Sequence, residues 1–316
     1  MADITTFANR LRKNARHWAK WAKRLSITCY RIYDRDIPEF PLAVDFYENR
    51  VHLQEFETGW KQEEEEYNAW VEEVRNATAE VLELPLEAIS FKRRARQRGL
   101  SQYEKTGTQG DDFVVTEHGH KFIVNLEQYL DTGLFLDHRN TRRMVQERAA
   151  GKRFLNLFAY TGSFTVYAAG GGAVSSTTVD MSNTYQDWSK RNFELNGLDL
   201  KRHKLVRADV FVFLEQAVKE RQQFDLIVMD PPSFSNSKKM SGVLDVQRDH
   251  PHLIDQCLKL LSAQGQLFFS NNLRSFELEQ DKIVPCNIRE ISAQTVPEDY
   301  RNKKIHRCWL IEPGRP

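Results

Sequence analysis

The chain has 316 residues, 41% hydrophobic and 28% charged, with a formal net charge of +1 at pH 7. That length buries a sizeable core and accommodates two domains, and the composition is that of a soluble globular protein. A near-neutral balance excludes any global attraction to nucleic acid, so such a partner must be met by a local patch.

The first predicted element supplies one. Phe7, Leu11, Ala15, Trp18, Ala22 and Leu25 recur at three- and four-residue steps and form the apolar stripe of a helix. The same stretch carries Arg10, Arg12, Lys13, Arg16, Lys20, Lys23 and Arg24 without a single acid, largely on the other face. Interleaved with His17, Trp18 and Trp21, this set favours RNA-backbone contact over a merely solvated face, with Arg12, Arg16 and Lys23 as candidate residues. The stretch FKRRARQR, which includes Arg94, repeats the theme, whereas acid gathers in Glu63 to Glu66.

From Cys29 to Phe56 the pattern has period two, and LAVDFYENRVHLQEF predicts a hairpin around Glu48 to Arg50. A helix from Glu63 to Leu84 follows, with Tyr67, Trp70, Val74 and Val81 inward and Pro85 as its stop. DDFVVTEHGHKFIVNL predicts a second hairpin turning near Gly119. The expected organisation is a basic helix over residues 1–26 and a small α+β domain over 27–130.

After residue 130 strand and helix alternate, which predicts an α/β domain with a mostly parallel sheet covered on both faces. The strands are placed at Phe154 to Phe158, Ser175 to Val179, Lys204 to Val206, Phe224 to Met229 and Gln266 to Ser270. The helices are placed at Phe164 to Ala169, Thr184 to Asn196, Val210 to Glu220 and Val246 to Leu261. Phe154 to Val179 contains no charged residue, yet Asn156, Thr161, Ser163 and Gly170 to Gly172 interrupt it, so a covered strand, turn and helix is expected rather than a membrane span. Cys29, Cys257, Cys286 and Cys308 are scattered without metal-ligand spacing, and there is no signal-peptide core; packing roles in the reducing cytoplasm are expected, with no bound metal.

Ligands of such sheets bind beyond the carboxyl ends of the strands. There, AYTGS (Ala159 to Ser163) is a turn of small residues with a single glycine, without the G-x-G-x-x-G pattern of a dinucleotide site. Asp180 ends the second strand, where a carboxylate can accept both hydroxyls of a ribose, and Asp209 follows the third. Asp230 ends the fourth strand directly before Pro231 and Pro232, which cannot continue a central strand. Each acid alone is more often a helix cap; three at successive strand ends argue for a site.

LNLFAYTGSFTVYAAGGGAVSSTTVDMS, LNGL, DPPSFSNSKK and VQRDH strongly resemble the carboxyl-terminal half of the bacterial bifunctional 23S rRNA guanine methyltransferases, the half that forms N7-methylguanosine. FANRLRKN, DTGLFLDHR and IHRCWLI extend the resemblance almost end to end. It implies a Rossmann-like class I methyltransferase domain over residues 131–316, S-adenosylmethionine as methyl donor, 23S rRNA as partner, and an amine-methylating half that is fused or separate. The Ala159 to Ser163 turn would hold the methionine part of the donor, Asp180 the ribose, and Asp209 with Val210 the adenine. The implied donor set comprises Asp137, Arg139, Phe158, Ala159, Tyr160, Thr161, Gly162, Ser163, Asp180, Met181, Asp209, Val210 and Asp230. Arg139 equally reads as a surface charge opening the next helix.

The implied catalytic set is Asp230, Pro231, Pro232 and Phe234, with Ser233 intervening before the aromatic. Asp230 would take the two donors of guanine's Watson–Crick edge and act by positioning, because N7 has no proton to lose. Lys238 and Lys239 would clamp the adjoining phosphate. DPPSFS and FFSNNLRSF hold no cysteine, which argues against cytosine-C5 chemistry. Methylation of guanine's exocyclic amine, or a non-catalytic RNA-binding module, are the alternatives.

Overall fold

The computed structural model describes residues 3–57, 63–94, 110–129, 131–236 and 242–314. Two compact units divide the chain: Met1–Gly119 with Val124–Thr132 and Glu298–Asn302, and His120–Ile123 with Gly133–Pro297 and Lys303–Pro316.

In the first unit, helix α1 (Ile4–Leu25) begins where the Asp3 side chain accepts from the Thr5 N–H at 2.9 Å, and it ends on Ser26 in the left-handed region. Phe7, Leu11, Trp21 and Ala22 are buried. Trp21 therefore belongs to the core and not to the basic face, a correction to its expected place among the RNA-contacting aromatics. Arg10, Lys13, Arg16, Lys20, Lys23 and Arg24 are exposed; Arg12 is half-buried and donates to Asn9 Oδ1.

Strands β1 (Cys29–Asp34), β2 (Leu42–Tyr47) and β3 (Arg50–Phe56) form an antiparallel meander. Helix α2 (Glu64–Leu82) then crosses over, so β4 (Ile89–Arg94) pairs parallel to β3. Its first turn holds Glu64, Glu65 and Glu66, which suits the positive end of a helix dipole, and Trp70 and Val74 are buried. Strand β5 (Phe113–Glu117) is the first unit's last described strand, and the two residues after it, His118 and Gly119, have φ of 48° and 83°; β6 (His120–Val124) lies largely in the second unit. The buried Arg31 guanidinium grips Asp45 at 2.7 and 2.8 Å, and its backbone N–H donates to Asp299 Oδ2 at 2.8 Å.

The second unit contains α3 (Arg139–Arg148), β7 (Arg153–Leu157), α4 (Ser163–Gly170), β8 (Ser175–Asp180), α5 (Asn183–Leu195), β9 (His203–Arg207), α6 (Val210–Lys219) and β10 (Phe224–Met229). After these come β11 (Phe234–Ser235), β12 (Leu244–Asp245), α7 (Val246–Leu260), β13 (Leu261–Asn271), β14 (Cys286–Glu290), α8 (Ser292–Thr295) and β15 (Arg307–Pro313). The sheet order is β14-β15-β13-β10-β7-β8-β9, parallel from β13 to β9 and antiparallel at β15 and β14. Alternate residues enter opposite cores. Leu155, Leu157, Ile227, Met229 and Phe269 pack with α6 and α7, whereas Phe154, Leu226, Val228 and Phe268 pack with α3 and α4. Strand order reverses between β7 and β10, so the carboxyl ends of these central strands flank the switch point of the sheet. No described helix is long and apolar enough to cross a membrane.

Candidate methyl-donor and base site

The turn after β7 is strained. Phe158 and Tyr160 hold φ of 54° and 51°, a left-handed conformation that costs a residue with a side chain about 1–2 kcal/mol each. Tertiary bonds impose it: the Ala159 N–H donates to Val179 O, Gly133 N–H to the Tyr160 hydroxyl, and Ser189 Oγ to Tyr160 O, at 2.9–3.0 Å. Thr161, fully buried, donates from Oγ1 to Gly133 O at 2.7 Å and accepts at its carbonyl from Asn192 Nδ2. Its side chain is therefore committed to the fold of the turn. Gly162, at φ 73°, caps α4, and a Cβ there would stand 2.7 Å from Phe193 Cε1, so glycine is required on two counts. Ser163 opens α4.

Asp180 ends β8. Its Oδ2 accepts from the Tyr160 N–H at 2.9 Å and its Oδ1 from the Ser182 N–H at 2.8 Å, with a further backbone contribution from Met181. Burial outweighs these bonds and pushes the carboxyl up from 3.8 to about 6. A carboxylate so enclosed, with backbone N–H groups as its partners, is suited to further neutral donors such as ribose hydroxyls. Asp209 accepts from the Phe211 N–H at 2.9 Å and caps α6, so one of its oxygens serves the ordinary helix-capping role. Val210, the first residue of α6, is buried in the core.

Asp230 lies just past β10, which stops at Met229 ahead of the two prolines. Ser270, buried in β13, donates from Oγ to Asp230 Oδ1 at 2.6 Å, and His138 Nε2 faces Oδ2 at 3.4 Å. The His138 ring stacks at 4.3 Å and 8° on His306, whose Nδ1 donates to Asp137 Oδ2 at 2.9 Å and whose Nε2 meets Thr295 Oγ1 at 3.0 Å. Ligand-type atoms of Asp137, His138 and His306 lie within 4.8 Å of one another. The Asp137–His306 spacing is nevertheless that of a hydrogen bond, and both His306 nitrogens are engaged by protein groups.

Several expectations change here. Asp137 is engaged with His306, and Arg139, 1% exposed at the start of α3, is not a surface charge. Pro231 is buried, Pro232 half-buried, and Ser233 Oγ donates to Asn272 Oδ1. Phe234 pairs by its backbone with Asp245 and leaves its ring 48% exposed. A cysteine does adjoin the site, because Cys308 stands opposite Ser270 in the sheet; burial keeps its thiol well above the ordinary range, so it is no nucleophile. Lys238 and Lys239 lie outside the described residues, as does the Arg94 side chain. Sequence reasoning missed Ser270, His138 and His306. Ser270 alone had a local signal, as the polar residue that ends an apolar strand run.

Acids at successive strand ends, a strained small-residue turn and a doubly wound sheet define a nucleoside-binding α/β domain. A family model for S-adenosylmethionine-dependent methyltransferases matches residues 71–297. Ribosomal RNA large subunit methyltransferase K of Neisseria meningitidis serogroup B is 66% identical over 311 residues, 98% of this chain and 88% of that protein. Ribosomal RNA large subunit methyltransferase K/L of Methylococcus capsulatus is 49% identical over 98% of this chain, which spans 42% of that longer protein. A solved methyltransferase complexed with SAH superposes with a TM-score of 0.77 at 27% identity, over 98% of this chain and 82% of that one. The chain belongs to the S-adenosylmethionine-dependent methyltransferase family. The resemblance read from its motifs and the expected α/β fold with a mostly parallel sheet are both borne out. The donor suits the residues present: it carries no phosphate, which fits a single-glycine turn, and it brings ribose hydroxyls, neutral donors of the kind an enclosed carboxylate such as Asp180 can accept.

Proposed function

We propose that this chain methylates N7 of a guanosine in 23S ribosomal RNA, with Asp230 holding the base, α1 and the small α+β domain holding the RNA backbone, and S-adenosylmethionine giving the methyl. The carrying observation is the Asp230 carboxylate, tied at Oδ1 by Ser270 and faced at Oδ2 by His138. Each oxygen keeps a lone pair, and together they match the N1–H and amine donors of guanine. The names of the relatives point to large-subunit ribosomal RNA as the substrate class.

The donor supplies an activated methyl on a sulfonium. N7 attacks through a lone pair and releases no proton, so the chain's task is alignment, and Asp230 serves as an acceptor that fixes the plane of the base. The exposed ring of Phe234, four residues on, is available to stack on it.

Unmodified 23S rRNA treated with the protein and donor should acquire one site that cleaves with borohydride and aniline. An inosine-substituted RNA, which lacks the amine and keeps N7, should still be methylated, more slowly. Product on guanosine that resists cleavage, with none on inosine, would transfer the assignment to the exocyclic amine.

A further inference from the structure

His138 occupies its position at a cost. Its ring is 5% exposed, and Nδ1 has no hydrogen-bond partner among the described residues. Nε2 faces Oδ2 of Asp230 at 3.4 Å and Oδ2 of Asp137 at 3.9 Å. Both facing groups are carboxylates, which accept, so the proton of a neutral ring belongs on Nε2. Burial favours that neutral form by lowering the ring's pKa, against the pull of Asp230. Nδ1 is then a buried acceptor with its hydrogen bond unmade, a loss that an apolar side chain of similar volume would avoid. What no leucine could supply is a polar N–H beside Oδ2 of Asp230, 3.4 Å away.

The surroundings keep that N–H in place. One face of the ring lies on His306, parallel within 8°, and Phe164 meets it edge-on at 5.7 Å and 68°. His306 cannot turn without breaking its bonds to Asp137 and Thr295. A carboxylate held only by Ser270 could pivot about Oδ1; the His138 N–H, 3.4 Å from Oδ2, favours the one plane that brings the two together. Two parallel acceptors in a fixed plane are what a bidentate contact to a planar base edge requires.

We propose that His138 is a positioning residue that fixes the plane of the Asp230 carboxylate for the base, with His306 and Asp137 holding His138 in turn. This rests on Asp230 being the base-holding group. It has two tests. In the first, His138→Leu and His138→Gln are compared by initial rates of labelled methyl transfer to the RNA, counted wherever the methyl lands. The leucine variant should lose about 10- to 100-fold in kcat, while its KM for RNA and its donor affinity change by no more than about threefold. Its melting temperature should not fall. Glutamine, whose amide N–H reaches the Nε2 position, should restore most of kcat. A folded leucine variant at full kcat, or a glutamine variant as slow as leucine, overturns the proposal. The second test needs no variant: nitrogen-15 spectra of the histidine rings should show His138 protonated at Nε2 and bare at Nδ1, and the opposite tautomer overturns it. Cleavage mapping of the wild-type product is a separate arm, in which resistant product refutes the N7 reading while the His138 rates still decide the positioning role.

Discussion

Replacing Asp180 by Asn keeps the shape of the side chain and removes its charge, so two opposed effects can be separated. Burial raises this carboxyl from 3.8 to about 6, equivalent to roughly 3 kcal/mol against the ionised form. Because the folded value lies above the unfolded one, this group's contribution to stability is fully present below pH 3.8 and is lost as pH rises through about 6. The Asn variant should lack that pH dependence. Donor binding runs the other way. Ribose hydroxyls donating to a carboxylate contribute about 1.5–3 kcal/mol, so Asp180→Asn should weaken S-adenosylmethionine about 10- to 150-fold at pH 7.5. Wild-type affinity should fall below pH 6 towards about tenfold per pH unit, whereas the variant's stays flat. Calorimetric titration with donor from pH 5 to 8 measures both. Unchanged affinity in a folded variant, or a flat wild-type profile, would refute Asp180 as the ribose acceptor.

Asp230→Asn sets an amide donor against the base's own donors; methyl transfer should slow by roughly a hundred- to a thousandfold, on the order of 3–4 kcal/mol, with donor affinity unchanged by calorimetry. Changing Arg12, Arg16 and Lys23 together to Glu should weaken RNA binding and flatten its salt dependence by about 0.7–0.9 in log–log slope for each phosphate that is no longer neutralised. Titrations across salt concentrations check this; an unmoved slope would leave α1 a solubilising face.

How much could be read from the chain alone depended on how far apart the interacting residues lie. Strands β7 to β10 and the helices between them were legible because apolar runs and amphipathic spacing are local signals, and their limits fall within a residue or two of expectation. Phe7, Leu11 and Ala22 were rightly turned inward, whereas Leu25, the last residue of the expected stripe, is exposed, and Trp21, named only among the interleaved aromatics, is buried. Strands β14 and β15 escaped notice because the stretch after Asn271 shows little periodicity and their antiparallel pairing is fixed only against β13. The donor turn and Asp180 were visible as strand ends. His138 and His306 were not: 168 residues separate them, and only the docking of β15 beside β13 brings their rings together. Arg139 read equally as a donor contact and as a surface charge for a related reason, since burial of a charge is decided by partners that sequence spacing does not reveal.

The return of Glu298–Asn302 to the first unit bears on how the protein is made. Asp299 accepts from the backbone of Arg31, Tyr300 lies 4.3 Å beneath that guanidinium, and the Asn302 N–H donates to Asp34. The remainder of the first unit ends at Thr132, yet these three residues come more than 160 positions later. At a translation rate of roughly 5–20 residues per second, the sheet that leaves the ribosome first must wait about ten to thirty seconds for the piece that lines Arg31 and caps Asp34. Until then the Arg31 guanidinium has Asp45 but not the Tyr300 ring, and its backbone N–H lacks the Asp299 acceptor. The unit synthesised first is thus completed almost last, and a ribosome stalled anywhere before residue 298 presents it without Asp299, Tyr300 and Asn302.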